Sequence, residues 1–153
     1  MKQLTEKEVL RKLTATCARR EHCIFEMREK MKQWQVDEDT QQRAIDYLTE
    51  HQFIDEERFC RAFVKDKLTY NKWGRKKVEQ ALFAKRLSGD LIERVLDEVE
   101  PENYEATLRP LLETKRKSIK ADSDYERNAK LIRFALSRGF TMDTILKVLN
   151  TDS

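Results

Sequence analysis

The chain has 153 residues, of which 39% are charged and 39% hydrophobic, with 3 glycines and 2 prolines. That length allows one domain or a short array of small units, and so few turn-forming residues exclude a β-sandwich or a doubly wound α/β fold. The composition predicts an all-α protein, and a net charge of only +3 argues for weak rather than tight binding of nucleic acid.

No run of about 18 apolar residues is present, so no transmembrane helix is expected. The first residues, MKQLTEKEVLRKL, are charged throughout and lack the apolar core of a signal peptide. Three cysteines without a secretory signal fit reduced thiols. Together these features predict a soluble cytoplasmic protein that does not engage a membrane.

In chain order, apolar spacing predicts an opening helix at Val9–Leu13, a second helix carrying Met27 and Met31, a link through Val36, and a third helix carrying Ile45 and Leu48. The same order returns as Phe59–Leu68, then Val78 and Leu82, then Leu87, then Ile92, Val95, Leu96 and Val99. It returns again as Leu108–Ile119, then Leu131 and Ala135, then Phe140, then Ile145, Val148 and Leu149. The offsets are 51 residues from the first to the second and 53 from the second to the third.

Polar positions repeat with the apolar ones. Asp37, Ser88 and Thr141 follow the link residue as candidate N-caps, whose short side-chain oxygens accept from exposed amides at a helix start. Asp39, Asp90 and Asp143 stand two residues further on, where the helix dipole favours an acid. A single three-helix unit could hardly bury a core alone, whereas stacked neighbours supply the missing contacts. The expected architecture is an elongated array of three tandem three-helix repeats, 1–52, 53–103 and 104–153, forming one domain. A compact bundle of the same helices is the alternative that periodicity leaves open.

The chemistry of an enzyme is missing. No Gly-rich phosphate loop, HExxH, GxSxG or paired CxxC occurs. Cys17, His22 and Cys23 come nearest to a metal set, but residues five and six apart on a helix face different ways, so a structural role is expected. The carboxylates fall at cap and surface spacings. The expectation is a non-enzyme with no cofactor, no metal and unreactive cysteines.

Charge, in contrast, is blocked. Arg58–Lys77 holds eight basic residues against Asp66 alone, and Arg109–Arg138 holds nine against four acids. Asp37–Glu57 and Asp90–Glu105 are acidic. Such blocks are either ordinary solvated helix faces or separate charged stripes suited to a polyanion or a charged partner. The candidate contact residues are Lys65, Lys67, Lys72, Arg75, Lys76 and Lys77 in one cluster and Lys115, Arg116, Lys117 and Lys120 in another. Both clusters occupy equivalent places, the end of an opening helix and the link that follows, so an array would place them along one side. Trp34 is expected to pack at a helix junction; Trp73, set among cations in NKWGRKK, is open between packing and base stacking. Gly74 is expected to supply a positive φ at a turn.

ARREHCIFEMREKM (Ala18–Met31), FIDEERFCRAFVKDK (Phe53–Lys67) and GRKKVEQALFAKRLSGDLIERVL (Gly74–Leu96) resemble the RecX family, bacterial modulators of the RecA recombinase. The resemblance spans about Ala18 to Leu149, and Ile54-Asp55-Glu56-Glu57-Arg58-Phe59 followed by Phe63-Val64 is its most specific part. It implies tandem three-helix repeats forming a curved, elongated molecule. It also implies binding in the groove of the RecA–single-stranded DNA filament, with weak contact to the DNA. A monomer is the expectation for an array whose ends are closed by short helices. Limiting filament growth, ATP hydrolysis and strand exchange in DNA repair and homologous recombination, and with them the SOS response, is the implied function. A helical nucleic-acid-binding module acting without RecA is the alternative. The chain departs from the family pattern at Cys23, where Ser or Thr is common, and at Arg86, where glycine follows lysine; the second departure predicts a different helix end. The third unit diverges most.

Overall fold

The computed structural model describes residues 3–151; the outermost positions of the first and third expected units, 1–2 and 152–153, lie outside the described residues. The helices are α1 (Glu6–Arg19), α2 (Ile24–Gln33), α3 (Glu38–Glu50), α4 (Glu56–Thr69), α5 (Arg75–Ala84), α6 (Gly89–Asp97), α7 (Pro101–Ser118), α8 (Asp124–Ser137) and α9 (Met142–Thr151). No strand occurs among the described residues.

The repeat seen in the sequence is a repeat of helix-end chemistry. Asp37 accepts from the Thr40 amide at 3.1 Å, Ser88 from Leu91 at 3.2 Å and Thr141 from Thr144 at 3.3 Å, so the three expected caps start α3, α6 and α9. Just before them, α2, α5 and α8 each end in a Schellman motif. The amides of Val36, Leu87 and Phe140 reach back to the carbonyls of Met31, Leu82 and Ala135, while those of Gln35, Arg86 and Gly139 reach Lys32, Phe83 and Leu136. The link residues Val36, Leu87 and Phe140 are therefore the apolar residues that close each motif.

The residue before each link takes a left-handed φ, 60° at Gln35, 62° at Arg86 and 94° at Gly139. Arg86 thus adopts the same helix end as the glycine in the third unit, in place of the different end expected from the sequence; the motif's two backbone bonds hold it there against the steric cost. Gln35 bears that cost with an exposed side chain. Gln35→Gly is expected to raise the unfolding free energy by about 0.5–1 kcal/mol, read as a higher denaturant midpoint with an unchanged slope.

The opening helices extend beyond their apolar patterns. α1 begins three residues before Val9 through the Thr5–Glu8 capping box. α7 begins at Pro101, seven residues before Leu108 and across the expected 103/104 division, because proline is pre-set for the first helical position and Tyr104 adds a turn to the Leu108–Leu112 stripe. Pro110 lies inside α7 and has no N–H to give the Ala106 carbonyl.

Three apolar cores succeed one another along the chain. Val9, Leu13, Met27, Met31, Ile45 and Leu48 form the first. Phe59, Val64, Val78, Leu82, Ile92 and Leu96 lead the second, and Leu108, Leu112, Leu131, Phe140, Ile145 and Val148 the third. Neighbours lend residues across each joint: Cys23 and Phe25 enter the second core, Leu68 and Val99 the third. The accessible surface is 10037 Å², against roughly 8,100 Å² for a compact chain of this mass. The excess decides for an elongated array of three-helix repeats over a compact bundle.

Candidate functional site

Several acids of the acidic blocks are taken up by the fold. Asp37 caps α3, with Glu38 and Asp39 in its first turn. Glu6 pairs with Arg43 at 2.6 Å, and 51 residues further on Glu57 pairs with Arg94 at 2.7 Å, so units one and two repeat an ion pair. Glu57 and Glu98 hold Arg61 at 2.6 and 2.7 Å, and Asp97 holds Arg75 at 2.8 Å. These acids are helix caps and arginine partners. Several lysines, Lys77 and Lys115 among them, have no such partner among the described residues.

The joint between the second and third units decides where the lysines go. Gly74, the N-cap of α5, donates to the Arg138 carbonyl at 2.8 Å, and the Lys76 amide donates to Gly139 at 2.9 Å. Carbonyls at the end of α8 thereby satisfy orphan amides at the start of α5. Gly74 has φ −85°, so it is not the positive-φ residue expected from the sequence; that conformation belongs to Lys72, at 57°. Gly74 is needed for close approach: a Cβ there would lie 2.3 Å from the Phe140 nitrogen and 2.4 Å from the Gly139 carbonyl carbon. A Cβ on Gly139 would meet the Lys77 Cβ at 2.4 Å. The two backbones touch.

This contact joins two aromatic–cation groups into one strip. On the second unit, Nζ of Lys67 and of Lys77 stand 5.2 and 4.8 Å from the centre of the Trp73 ring. On the third, Lys115 Nζ and the Arg138 guanidinium stand 5.1 and 5.2 Å from the Phe134 ring. Lys77 packs on Gly139, one residue from Arg138, so the order along the strip is Lys67, Trp73, Lys77, Arg138, Phe134, Lys115. Each ring holds two cations against its electron-rich face and fixes them before any ligand arrives. Trp73 also packs on the second core; it positions lysines and is not a free stacking platform. Trp34 packs in the first core with Lys12 Nζ 5.7 Å from its ring, the junction role expected for it.

Among the described residues, Lys77, Lys115 and Arg138 have no carboxylate partner, and Lys67 has only Asp66 at 3.9 Å. Accumulated like charge opposes folding and draws a polyanion.

The sequence clusters are thus redistributed. Lys67 and Lys77 enter the strip with Lys115. Arg75 is bound to Asp97 and turned away from it, beside Tyr104. Lys65 and Lys72 line a separate groove between α4 and α7. Lys76, Lys117 and Lys120 are exposed, and the Lys120 carbonyl accepts from Lys130 Nζ at 2.8 Å. Arg116 is half-buried, its Nε sealed from solvent without a partner. Sequence reasoning missed Arg138 and Phe134. The signal was the glycine of Arg138-Gly139-Phe140, which allows another unit's backbone to approach.

The joint between the first and second units is built differently. Glu26 on α2 accepts from Lys85 Nζ at 2.8 Å, stands 2.9 Å from His22 Nδ1 and accepts from the Cys23 amide at 3.3 Å. Arg86 covers Phe25 at 5.5 Å. Cys17, His22 and Cys23 serve packing here: His22 is buried on Glu26, Cys23 is in the second core, and the Cys17 thiol meets the Met27 sulfur at 3.8 Å. Burial pushes the Cys23 and Cys60 thiols up to about 11, so both stay protonated.

Burial works to raise the Glu26 carboxyl, but Lys85, the Cys23 amide and His22 outweigh it and hold the group below its ordinary value of 4.5. A lowered folded value stabilises the fold above the unfolded carboxylate range, and that gain is lost as pH falls through the folded value. The stability gap between wild type and Glu26→Gln, about 1–3 kcal/mol at neutral pH, is expected to stay constant down to about pH 5.5 and to shrink below 4.5. Denaturant titrations of both chains across pH 3.5–7 (roughly the carboxylate range) check this; a gap that does not change with pH refutes it.

The fold places the chain in the class of all-helical proteins built from tandem three-helix repeats. Residues 55–96 match the family model for the second three-helix domain of RecX, and residues 102–149 match that for the third. The regulatory protein RecX of Vibrio parahaemolyticus serotype O3:K6 is 30% identical over 133 residues, which cover 87% of this chain and 84% of that protein. The regulatory protein RecX of Clostridium botulinum (strain Eklund 17B / Type B) is 35% identical over 126 residues, covering 81% of this chain; the match spans only 58% of that longer protein. The crystal structure of RecX from Lactobacillus salivarius shares the fold, with a TM-score of 0.87 over 95% of both chains at 16% identity. The chain belongs to the RecX family of regulatory proteins.

Proposed function

We propose that this protein regulates the RecA recombinase negatively, binding in the groove of the RecA–single-stranded DNA filament and limiting filament growth, ATP hydrolysis and strand exchange. Family membership supplies the partner. The observation that carries the mode of action is the strip formed by Lys67–Trp73–Lys77 and Arg138–Phe134–Lys115, two aromatic–cation groups that flank the Gly74–Gly139 contact and whose cations, among the described residues, have only Asp66, 3.9 Å from Lys67, as a carboxylate partner. An elongated monomer with cations along one side can follow a helical groove and meet both recombinase and phosphates. Lys76, Lys117 and Lys120 extend that surface in this reading, and Arg116 borders it. The protein acts in the cytoplasm by binding, without catalysis, cofactor or membrane; among the described residues no helix is long and apolar enough to cross a bilayer.

The test is ATP hydrolysis by a preformed filament of the cognate RecA on single-stranded DNA, with this protein added below stoichiometry. A falling rate that persists at moderate salt supports filament control, and Lys76→Glu/Lys77→Glu/Lys117→Glu should weaken it. An unchanged rate with folded protein removes the recombinase from the proposal. Tight, steeply salt-dependent binding to DNA alone would then favour a nucleic-acid-binding module.

A further inference from the structure

A sizeable groove lies apart from the aromatic–cation strip. It has a volume of about 740 Å³ and lies between α4 of the second unit and α7 of the third, within the range of roughly 300–1,000 Å³ usual for binding pockets. Its floor is aliphatic: Val64, Leu68, Val95, Val99 and Leu111. No aromatic side chain lines it. Lys65 and Lys72 stand on its rim, exposed and without a carboxylate partner among the described residues. Arg61, the third basic residue there, is already neutralised by Glu57 and Glu98.

The α7 wall carries a further feature. Ala106 and Pro110 both line the groove, one turn apart. Proline has no N–H, so the Ala106 carbonyl lacks its usual donor one turn further on. A helix that gives up an internal hydrogen bond beside an apolar trough offers an acceptor to whatever lies there.

We propose that this groove docks an acidic, amphipathic protein segment. Its apolar side chains fill the aliphatic floor, its carboxylates meet Lys65 and Lys72, and one donor reaches the Ala106 carbonyl. Charge complementarity commits the occupant: two uncompensated ammonium groups border a surface that must be dried by aliphatic contacts. Single-stranded nucleic acid fits poorly, because its bases gain affinity from aromatic faces and this lining has none. The proposal deepens the function above, on which it rests for the identity of the partner: the strip takes phosphates, and the groove takes a segment of the recombinase.

The experiment compares wild type with Lys65→Glu/Lys72→Glu and with Ala106→Trp. Ala106 is exposed, so the indole fills the groove from its open side without a change of charge. Circular dichroism and unfolding confirm that both variants fold. Each is expected to lose about tenfold or more in affinity for the recombinase filament, while Ala106→Trp leaves affinity for a single-stranded oligonucleotide within about twofold. Unchanged filament affinity for Ala106→Trp, or an equal loss towards the oligonucleotide, overturns the proposal.

If wild type fails to bind the filament, the partner assignment falls and a second measurement decides the groove. A synthetic Glu/Leu peptide with apolar residues at helical spacing is titrated into the full chain and followed by methyl NMR, beside a Lys/Leu peptide of the same pattern. The acidic peptide is expected to shift the methyls of Val64, Val95 and Val99 with about tenfold higher affinity than the basic one. Equal affinity, or shifts confined to other sites, refutes an acidic occupant.

Discussion

Replacing Gly74 by alanine is expected to lower the unfolding free energy by about 2–3 kcal/mol. The φ of −85° suits any residue, so the substitution imposes no conformational strain of its own. The whole effect comes from a methyl group placed 2.3 Å from the Phe140 nitrogen and 2.5 Å from the Gly139 oxygen. Both neighbours are backbone and cannot rotate aside, so α5 and the α8–α9 link must move apart. That stretches the bonds from Gly74 and Lys76 to Arg138 and Gly139, 2.8 and 2.9 Å long in the native joint. Thermal unfolding should start about 4–12 °C lower, and hydrogen exchange should quicken at the Gly74 and Lys76 amides while those inside α2 and α3 keep their protection. An unaltered midpoint would show that the joint yields without cost. Because the joint also aligns the two halves of the strip, Gly74→Ala should weaken filament binding at temperatures where every unit remains folded.

The pair Lys77→Glu/Arg138→Glu is expected to reduce affinity for a single-stranded oligonucleotide by about tenfold or more and to flatten the log–log salt dependence by about 1.4, near 0.7 for each phosphate that is no longer neutralised. These side chains stand on opposite sides of the joint, each on its own ring, at 4.8 Å from Trp73 and 5.2 Å from Phe134. The control is Arg75→Gln. Arg75 belongs to the same sequence cluster as Lys77, but Asp97 holds it at 2.8 Å, so its charge is already spent. Its removal should leave oligonucleotide affinity within about twofold. If all three substitutions weaken binding equally, the cluster acts through bulk charge and the strip has no separate meaning. Fluorescence anisotropy at several salt concentrations reads both the affinity and the slope.

The repeat was legible in the sequence because its determinants are local. An N-cap such as Ser88, an apolar stripe such as Val78–Leu82 and a motif-closing residue such as Leu87 act within a few residues of chain, so 51- and 53-residue offsets suffice to reveal them. The start of α7 was hidden because Pro101 and Tyr104 stand among five acids, where apolar spacing carries little signal. Arg86 misled for a related reason: its side chain predicts an altered helix end, but two backbone bonds impose the left-handed conformation that its third-unit counterpart reaches with glycine.

The helices, their repetition, the caps and the supply of cations follow from residues close together in the chain. Which cations remain unpaired, and which stand together, is settled by packing. That selection depends on partners far apart in the chain: Asp97 removes Arg75, Glu57 and Glu98 remove Arg61, and the contact of Gly74 with Gly139 brings Lys77 beside Arg138. Charge counted along a chain is blind to pairing in space, and a glycine chosen for the room it leaves to another backbone looks, in sequence, like one chosen for a turn.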